Sequence, residues 1–502
     1  MPINFLPNDP QADRATAPAL RVQPKRKNRP STRSGFTFAH RSTERIAAPG
    51  TPQFLYWQCR EAAIAALEAW EASAGVHKRW QGNRKKIRLF QDAGEDLNAY
   101  YDRDSVSFFH QAVGAKTLFS GASTDVVAHE VGHGLLDSIR SDLWSVNFLE
   151  VGAFHEAFGD CLAILTALRD QPSRQNLLQA APNLRKRNFI ETTAEELSDG
   201  IRRLIPNHNA AEPRHAFNRF NFQLPSTLPG DGGPGTLINE VHSFGMVFTG
   251  CFWDLIANLF AASPTQNEVS LQTAAATAGR ILIEGARTAM VTPRYFQSVG
   301  RAMVLADQSL NAGANREAIR QAFQQHNLLV GTSAAVTPSM ALEGGAPSGA
   351  GAAISSKTRR DLARRLGGAA DAKLSFKAIN LGGTRMLHAV QTRQVNLGAV
   401  DKRLKNVFAV AHEVVTIGSS GARAAVMGVL PNSSDTELEI RAFVETLLEH
   451  DRIEFGKTSK GTKGILASRR QLPRCTHRIE SVAGKKMLQR MRFHCACCSL
   501  PF

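Results

Sequence analysis

Residues 129–133 read His129-Glu130-Val131-Gly132-His133, directly after Asp125-Val126-Val127-Ala128. The stretch from Thr124 to Ser138 is predicted to be a helix, with Ser123 or Thr124 as its N-cap, and it is apolar enough to be buried on one side. Side chains four apart share a helix face, so both imidazoles can reach one ion. Glu130, one position along, points toward the open side of that ion, where a carboxylate can act as a base. A chain with this helix must place two imidazoles and a carboxylate in its interior, and unpaired buried charge is costly. The motif therefore asks for a zinc ion, a third protein ligand from another element, and an open fourth position for water.

A second stretch offers that ligand. Gly152-Ala153-Phe154-His155-Glu156-Ala157-Phe158-Gly159-Asp160 carries Glu156 and Asp160 four apart, on one face of a predicted helix. Phe154, Phe158, Leu162 and Ile164 imply that this helix is buried, which argues against a merely solvated pair of carboxylates. Glu156 can bind the ion while Asp160 accepts the other ring N–H of a ligand histidine and so fixes its tautomer. His155 competes as a ligand but lies about 100° around the helix from Glu156.

The 502 residues allow several domains, and the composition excludes a collagen, a wholly disordered chain and a bundle of membrane spans. Residues 1–50 are rich in Pro, Arg, Ser and Thr and are expected to be a disordered basic tail. Residues 51–330 are expected to be the globular body. Within it, Phe54–Ala74 is predicted as a helix and 86–90 as a strand, and 97–101 with 105–109 as a hairpin turning at Asp102-Arg103-Asp104. Beyond Gly152 nearly everything is expected to be helical, at 152–169, 241–262, 268–290, 294–310 and 314–327. Residues 331–356 are dense in Gly, Ala and Ser and are expected to be a linker. Residues 357–502 form a basic C-terminal region of unknown fold, with a strand expected at Val407–Ile417. The net charge of +16 is uneven: the first 50 residues carry a net +6, residues 357–502 a net +14, and residues 51–356 a net −4. The basic flanks suit an acidic partner. No aromatic interleaving marks a nucleic-acid groove.

Four blocks stand in a fixed order: Asn98-Ala99-Tyr100-Tyr101 as an edge strand, Asp125 to His133, Gly152 to Asp160, and Val241-His242-Ser243-Phe244-Gly245. In that order and spacing, residues of about 86–260 resemble the thermolysin-like gluzincin zinc metallopeptidases. The resemblance implies an α+β fold of the zincin type. A small N-terminal sheet and an active-site helix would precede an all-helical lobe, with the basic C-terminal domain as an addition. It implies one catalytic zinc ion held by His129, His133 and Glu156, with Glu130 as general base and Asp160 orienting His129. Asn98 and Ala99 would align an extended peptide or protein substrate, and His242 would donate to the oxyanion. Taken alone, His242 reads as an ordinary histidine at a helix start. The implied activity is that of a zinc-dependent metalloendopeptidase that hydrolyses peptide bonds with a metal-activated water.

The chain departs from the family pattern in several places. No Tyr lies between Leu136 and Glu156, where the family has one assisting the oxyanion; the comparable stretch is Val146-Asn147-Phe148. The family's Asp before the later His corresponds to Leu237, with Glu240 nearby but off register. Asp125 matches a structural-calcium position, but the carboxylate expected two turns after Asp160 falls at Ala167, which speaks against calcium. The alternative function is therefore a catalytically weak or inactive gluzincin-like binding protein, tethered to an acidic partner through its basic flanks.

Cys59, Cys161 and Cys251 are expected to be buried free thiols. Cys475, His477, His494, Cys495, Cys497 and Cys498 offer ligands for a second, structural metal. Free thiols, an intermolecular disulfide and an acylation site remain open for the same cysteines. His412-Glu413 lacks a second His and is no further site of this type. No secretory signal, inhibitory pro-segment or membrane span is recognisable, so the default location is the cytoplasm, with export by a route needing no cleaved signal left open.

Overall fold

The computed structural model describes residues 2–330, 341–345, 354–366, 374–381, 384–420, 423–455 and 475–494. Its first strands fall within the expected tail. β1 (Pro2–Phe5) pairs antiparallel with β2 (Arg21–Pro24), and β3 (Gly35–Phe38) joins a larger sheet. Residues 1–50 are thus not read correctly as a disordered tail. Ile3 and Phe5 are buried in the main core, and the basic residues find carboxylates far along the chain. Arg21 pairs with Asp170 at 2.7 Å, Arg29 with Glu71 at 2.6 Å, and Arg26 with Glu61 at 3.3 Å. Much of the N-terminal positive charge is therefore neutralised inside the fold.

Helix α1 (Pro52–Ala74) starts with Thr51 accepting the Phe54 N–H and stops at Gly75, whose φ of 76° suits glycine. It is buried on almost every side, and Glu61 survives there because Arg26 and Arg60 pair with it. β4 (Lys86–Phe90), β5 (Ala99–Tyr101) and β6 (Ser105–Phe108) follow. β5 and β6 form the expected hairpin, whose turn is closed by Asp102 Oδ1 accepting the N–H groups of Asp104 and Ser105. β7 (His110–Val113) and β8 (Lys116–Phe119) make a second hairpin, and α2 (Thr124–Ile139) carries the histidine motif.

The remaining body is mainly helical: α3 (Leu149–Arg169), α4 (Gln171–Ala180), β9 (Thr192–Thr193), α5 (Glu195–Leu204), β10 (Arg214–His215), α6 (Val241–Ala261), α7 (Glu268–Thr288), α8 (Tyr295–Asn311) and α9 (Arg316–Gln324). α3 and α6 are long and apolar enough to cross a membrane, but 100% and 89% of their most apolar windows lie buried in this fold. Their apolar character is that of central core helices.

The C-terminal region holds β11 (Ala341–Gly345), α10 (Ser356–Arg365), β12 (Ser375–Leu381), β13 (Thr384–Asn396), β14 (Val407–Ser420), β15 (Arg423–Val426), α11 (Ser433–Glu449), β16 (Ile453–Glu454), β17 (His477–Val482), β18 (Lys485–Arg490) and β19 (Phe493–His494). Eight of these strands form one sheet, with β13 and β14 paired from Leu387–Ile417 to Asn396–Phe408. Most of the expected linker lies outside the described residues, but 341–345 is a strand paired with β15. Val407, Ala409, Val414, Ile440 and Phe443 belong to the same hydrophobic cluster as Phe154 and Phe248 of α3 and α6. The C-terminal sheet therefore packs directly on the helical body. Thr416 donates to the Thr288 carbonyl at 2.8 Å, and Arg294 pairs with Glu439 at 3.1 Å across the same contact.

The contact that positions the site is between α2 and α3. A Cβ added at Gly132 would lie 2.9 Å from the Gly159 Cα, so the two backbones meet where neither has a side chain. We predict that Gly132→Val lowers stability by at least about 2 kcal/mol by forcing this contact apart. An unchanged thermal unfolding midpoint would show that the helices do not touch there.

Candidate active site

α2 begins with Ser123, whose hydroxyl accepts the Val126 N–H at 3.4 Å, and Val126, Val127, Val131 and Leu135 anchor its buried face. His129 and His133 project one turn apart, their ring centroids 4.7 Å apart and their planes near perpendicular. From α3, Glu156 Oε2 lies 3.2 Å from His129 Nε2 and 3.7 Å from His133 Nε2. Both nitrogens of His133, both oxygens of Glu130 and Oε1 of Glu156 are buried without a hydrogen-bond partner. Two imidazole nitrogens and a carboxylate oxygen converge here, among polar atoms that nothing else satisfies. That is the donor set zinc takes, and the residues fit that ion; ligand atoms of His129, Glu130 and His133 also lie within 4.8 Å of one another, close enough to hold a metal ion.

Asp160 Oδ1 accepts from His129 Nδ1 at 2.8 Å, which turns Nε2 toward Glu156. Arg214 of β10 clamps the same carboxylate, Nη2 to Oδ1 at 2.9 Å and Nε to Oδ2 at 3.0 Å. Burial favours the neutral His129 ring, but Asp160 and Glu156 outweigh it and carry its pKa up to about 9. His133 has no such carboxylate bond, and burial lowers it to about 3. Burial raises Glu130 to about 8. Glu156 goes the other way: burial opposes its charge, yet His242, His133 and His129 hold it well below the usual carboxylate range.

His242 sits in the first turn of α6, with Nε2 3.1 Å from Glu156 Oε2. Glu240 caps this helix. Its Oε2 accepts the N–H groups of His242 and Ser243, and its Oε1 accepts from His242 Nδ1 at 2.8 Å. The carboxylate that orients His242 is therefore Glu240, although its register is shifted from the one the family pattern suggested. On its other side, His242 Nε2 meets the carbonyl oxygen of His494 at 2.5 Å. Both ring nitrogens face acceptors, so both donate.

Asn98 precedes β5, and its Oδ1 accepts the Ala99 N–H at 2.8 Å. The expectation of β5 as an edge strand needs correcting, because β19 pairs with its outer side. In the stretch without the family's Tyr, the Asn147 amide donates to the Val410 carbonyl at 3.3 Å and thereby ties α3's approach to β14. Asp125 meets Asp9 and Glu195, with donor atoms within 4.8 Å of one another. Burial raises Asp125 to about 6 and pushes the other two well up.

Arg214 and Phe493 were not found from sequence. Glu240 reads there as near the family's Asp but off register, and His494 only as a ligand for a second metal. Cys59, Cys161 and Cys251 are buried free thiols as expected. Of the residues expected to hold a second metal, Cys495, Cys497 and Cys498 lie outside the described residues. His477 and His494 are buried, and Cys475 is half-buried with its thiol directed at the Asp451 carbonyl.

Residues 110–334 match the family model of Fungalysin metallopeptidase. That stretch contains the histidine motif, Glu156 and His242. The fungalysin family is a gluzincin family, so the resemblance read from sequence holds at that level and is thermolysin-like only coarsely. Metallopeptidases of this family use zinc. Among solved structures, the precursor of protealysin, a metalloproteinase from Serratia proteamaculans, is 13% identical. The match covers 59% of this chain and 87% of that one, with a TM-score of 0.34, too low to assign a fold. No curated protein matches the chain.

Two outcomes follow for metal binding. Asp160→Asn should weaken zinc binding by roughly tenfold or more in a chelator competition; unchanged affinity would mean that the bond to His129 does not support the site. As a ligand, His129 would have to give up the proton it holds below about pH 9, so zinc affinity should fall as the pH is lowered through that value. A zinc titration at pH 7 that releases no proton would contradict this.

Proposed function

We propose that this chain is a zinc-dependent metalloendopeptidase, with His129, His133 and Glu156 as the metal ligands. The observation that carries this reading is the convergence of those three side chains beside a buried, unpartnered Glu130. The likeness to the fungalysin metallopeptidases supports it. Zinc bound at these ligands supplies a Lewis acid that polarises a peptide carbonyl and lowers the pKa of a water toward about 7.

The chain's own residues would do the rest. Glu130 takes the proton of the attacking water and returns it to the leaving amine. His242, with Nδ1 held by Glu240, directs its Nε2–H at the oxyanion as charge develops there. Asn98 and Ala99 align the substrate as an added strand along β5. Asp160 and Arg214 keep His129 in the orientation a ligand needs.

Glu130→Gln should retain one zinc per chain and lose turnover by about 10²–10⁴-fold, the usual contribution of a positioned base. His242→Ala should lower kcat by about 10²–10³-fold. The measurement is metal analysis together with a peptide-library digest. Equal cleavage with and without Glu130→Gln, in chains whose β19 is displaced from β5, would refute the mechanism.

The absent Tyr favours a second reading, a gluzincin-like body that binds peptides without turnover. Zinc binding with no chelator-sensitive cleavage, even in a variant with an opened cleft, would favour that reading. The acidic partner expected for the basic flanks has no support, since many of their arginines pair within the fold.

A further inference from the structure

The substrate strand's place along β5 is already filled. β19 pairs antiparallel with β5, Phe493 opposite Tyr101 and His494 opposite Tyr100. The His494 carbonyl meets His242 Nε2, the donor assigned above to the oxyanion. The neighbouring Phe493 is 1% exposed and fills an aromatic slot. Its ring stacks on His155 at 4.1 Å and on His133 at 4.9 Å, and it meets Trp144 edge-on at 5.4 Å. The Arg490 guanidinium lies over the same ring at 4.3 Å. Trp144 donates to the Arg490 carbonyl at 3.1 Å, which guides the chain from β18 into the cleft.

A structural strand needs only its ladder bonds. This one also places a carbonyl on the oxyanion donor and a side chain against a metal-ligand histidine, as a bound peptide would. Resting on the peptidase reading, we propose that Phe493-His494 is an internal ligand of the peptide cleft. The cleft takes extended peptides antiparallel to β5. The residue whose carbonyl meets His242 is preceded by an aromatic residue, which enters the slot between His133, His155 and Trp144. While β19 is in place, the full chain is latent, because an intramolecular occupant acts at an effective concentration on the order of millimolar.

The test uses the metal-free full chain and a fluorescent probe with the sequence of residues 491–494, acetylated and amidated. Phe493→Ala should bind this probe at least about tenfold more tightly than wild type by anisotropy. A control probe with Ala in place of Phe should bind weakly to both. Equal affinity of wild type and variant, or equal binding of the two probes, overturns the proposal.

Circular dichroism checks that Phe493→Ala is folded. A second measurement needs no variant: saturating probe should release β19 in wild type and speed hydrogen exchange at Phe493 and His494. Unchanged exchange overturns the proposal as well. Zinc-loaded protein separates the two readings. If Phe493→Ala gains peptide affinity but cleaves nothing, the internal ligand stands and the peptidase reading fails. If wild type cleaves as fast as Phe493→Ala, the internal ligand fails and the peptidase reading stands.

Discussion

Everything at the candidate centre depends on how closely α2 and α3 approach. Where Gly132 faces Gly159, the backbones meet without side chains between them. Only at that distance can Glu156 reach both histidines and Asp160 reach His129. The approach also concentrates charge in an apolar interior, which is tolerable because each ionised group has a partner. Asp160 pairs with Arg214, and Glu156 faces the ring nitrogens of His129, His133 and His242. The polar atoms left over, on His133 and Glu130, are those a cation and its water would engage.

The C-terminal region alters the meaning of the cleft. Its sheet shares the main hydrophobic cluster and reaches the site through β18 and β19. Glu156, His242, Phe443, His477, Arg490 and His494 line one cavity, most of whose wall comes from residues beyond 440. Burial keeps His477 and His494 far below the ordinary histidine range and lowers Arg490 to about 10. Phe493, against both His133 and His155, couples the last described strand to α2 and α3.

The parts of the site that were legible in the sequence are local. Residues four apart on a helix, such as His129 and His133 or Glu156 and Asp160, announce a shared face without knowledge of the fold. The hairpin around Asp102-Arg103-Asp104 was legible for the same reason, as was most of the helical order after Gly152. Arg214 and Phe493 were not legible, because their partners lie 54 residues or more away and no periodicity links them. The N-terminal arm misled for a related reason. Composition counted Arg26 and Arg29 as solvated charge, whereas Glu61 and Glu71 pair with them. Glu240 illustrates a third limit: a family register pointed to Leu237, and helix capping placed the working carboxylate three residues later.

Zinc K-edge X-ray absorption of the zinc-loaded full chain would test the central claim most directly, alongside metal analysis of the wild type and of Glu156→Ala. The arrangement of α2 and α3 predicts one zinc per chain with two imidazole ligands and oxygen in the remaining positions. It also predicts that affinity collapses when Glu156 is removed. A spectrum dominated by sulfur, or zinc held equally well without Glu156, would place the metal elsewhere and contradict the account.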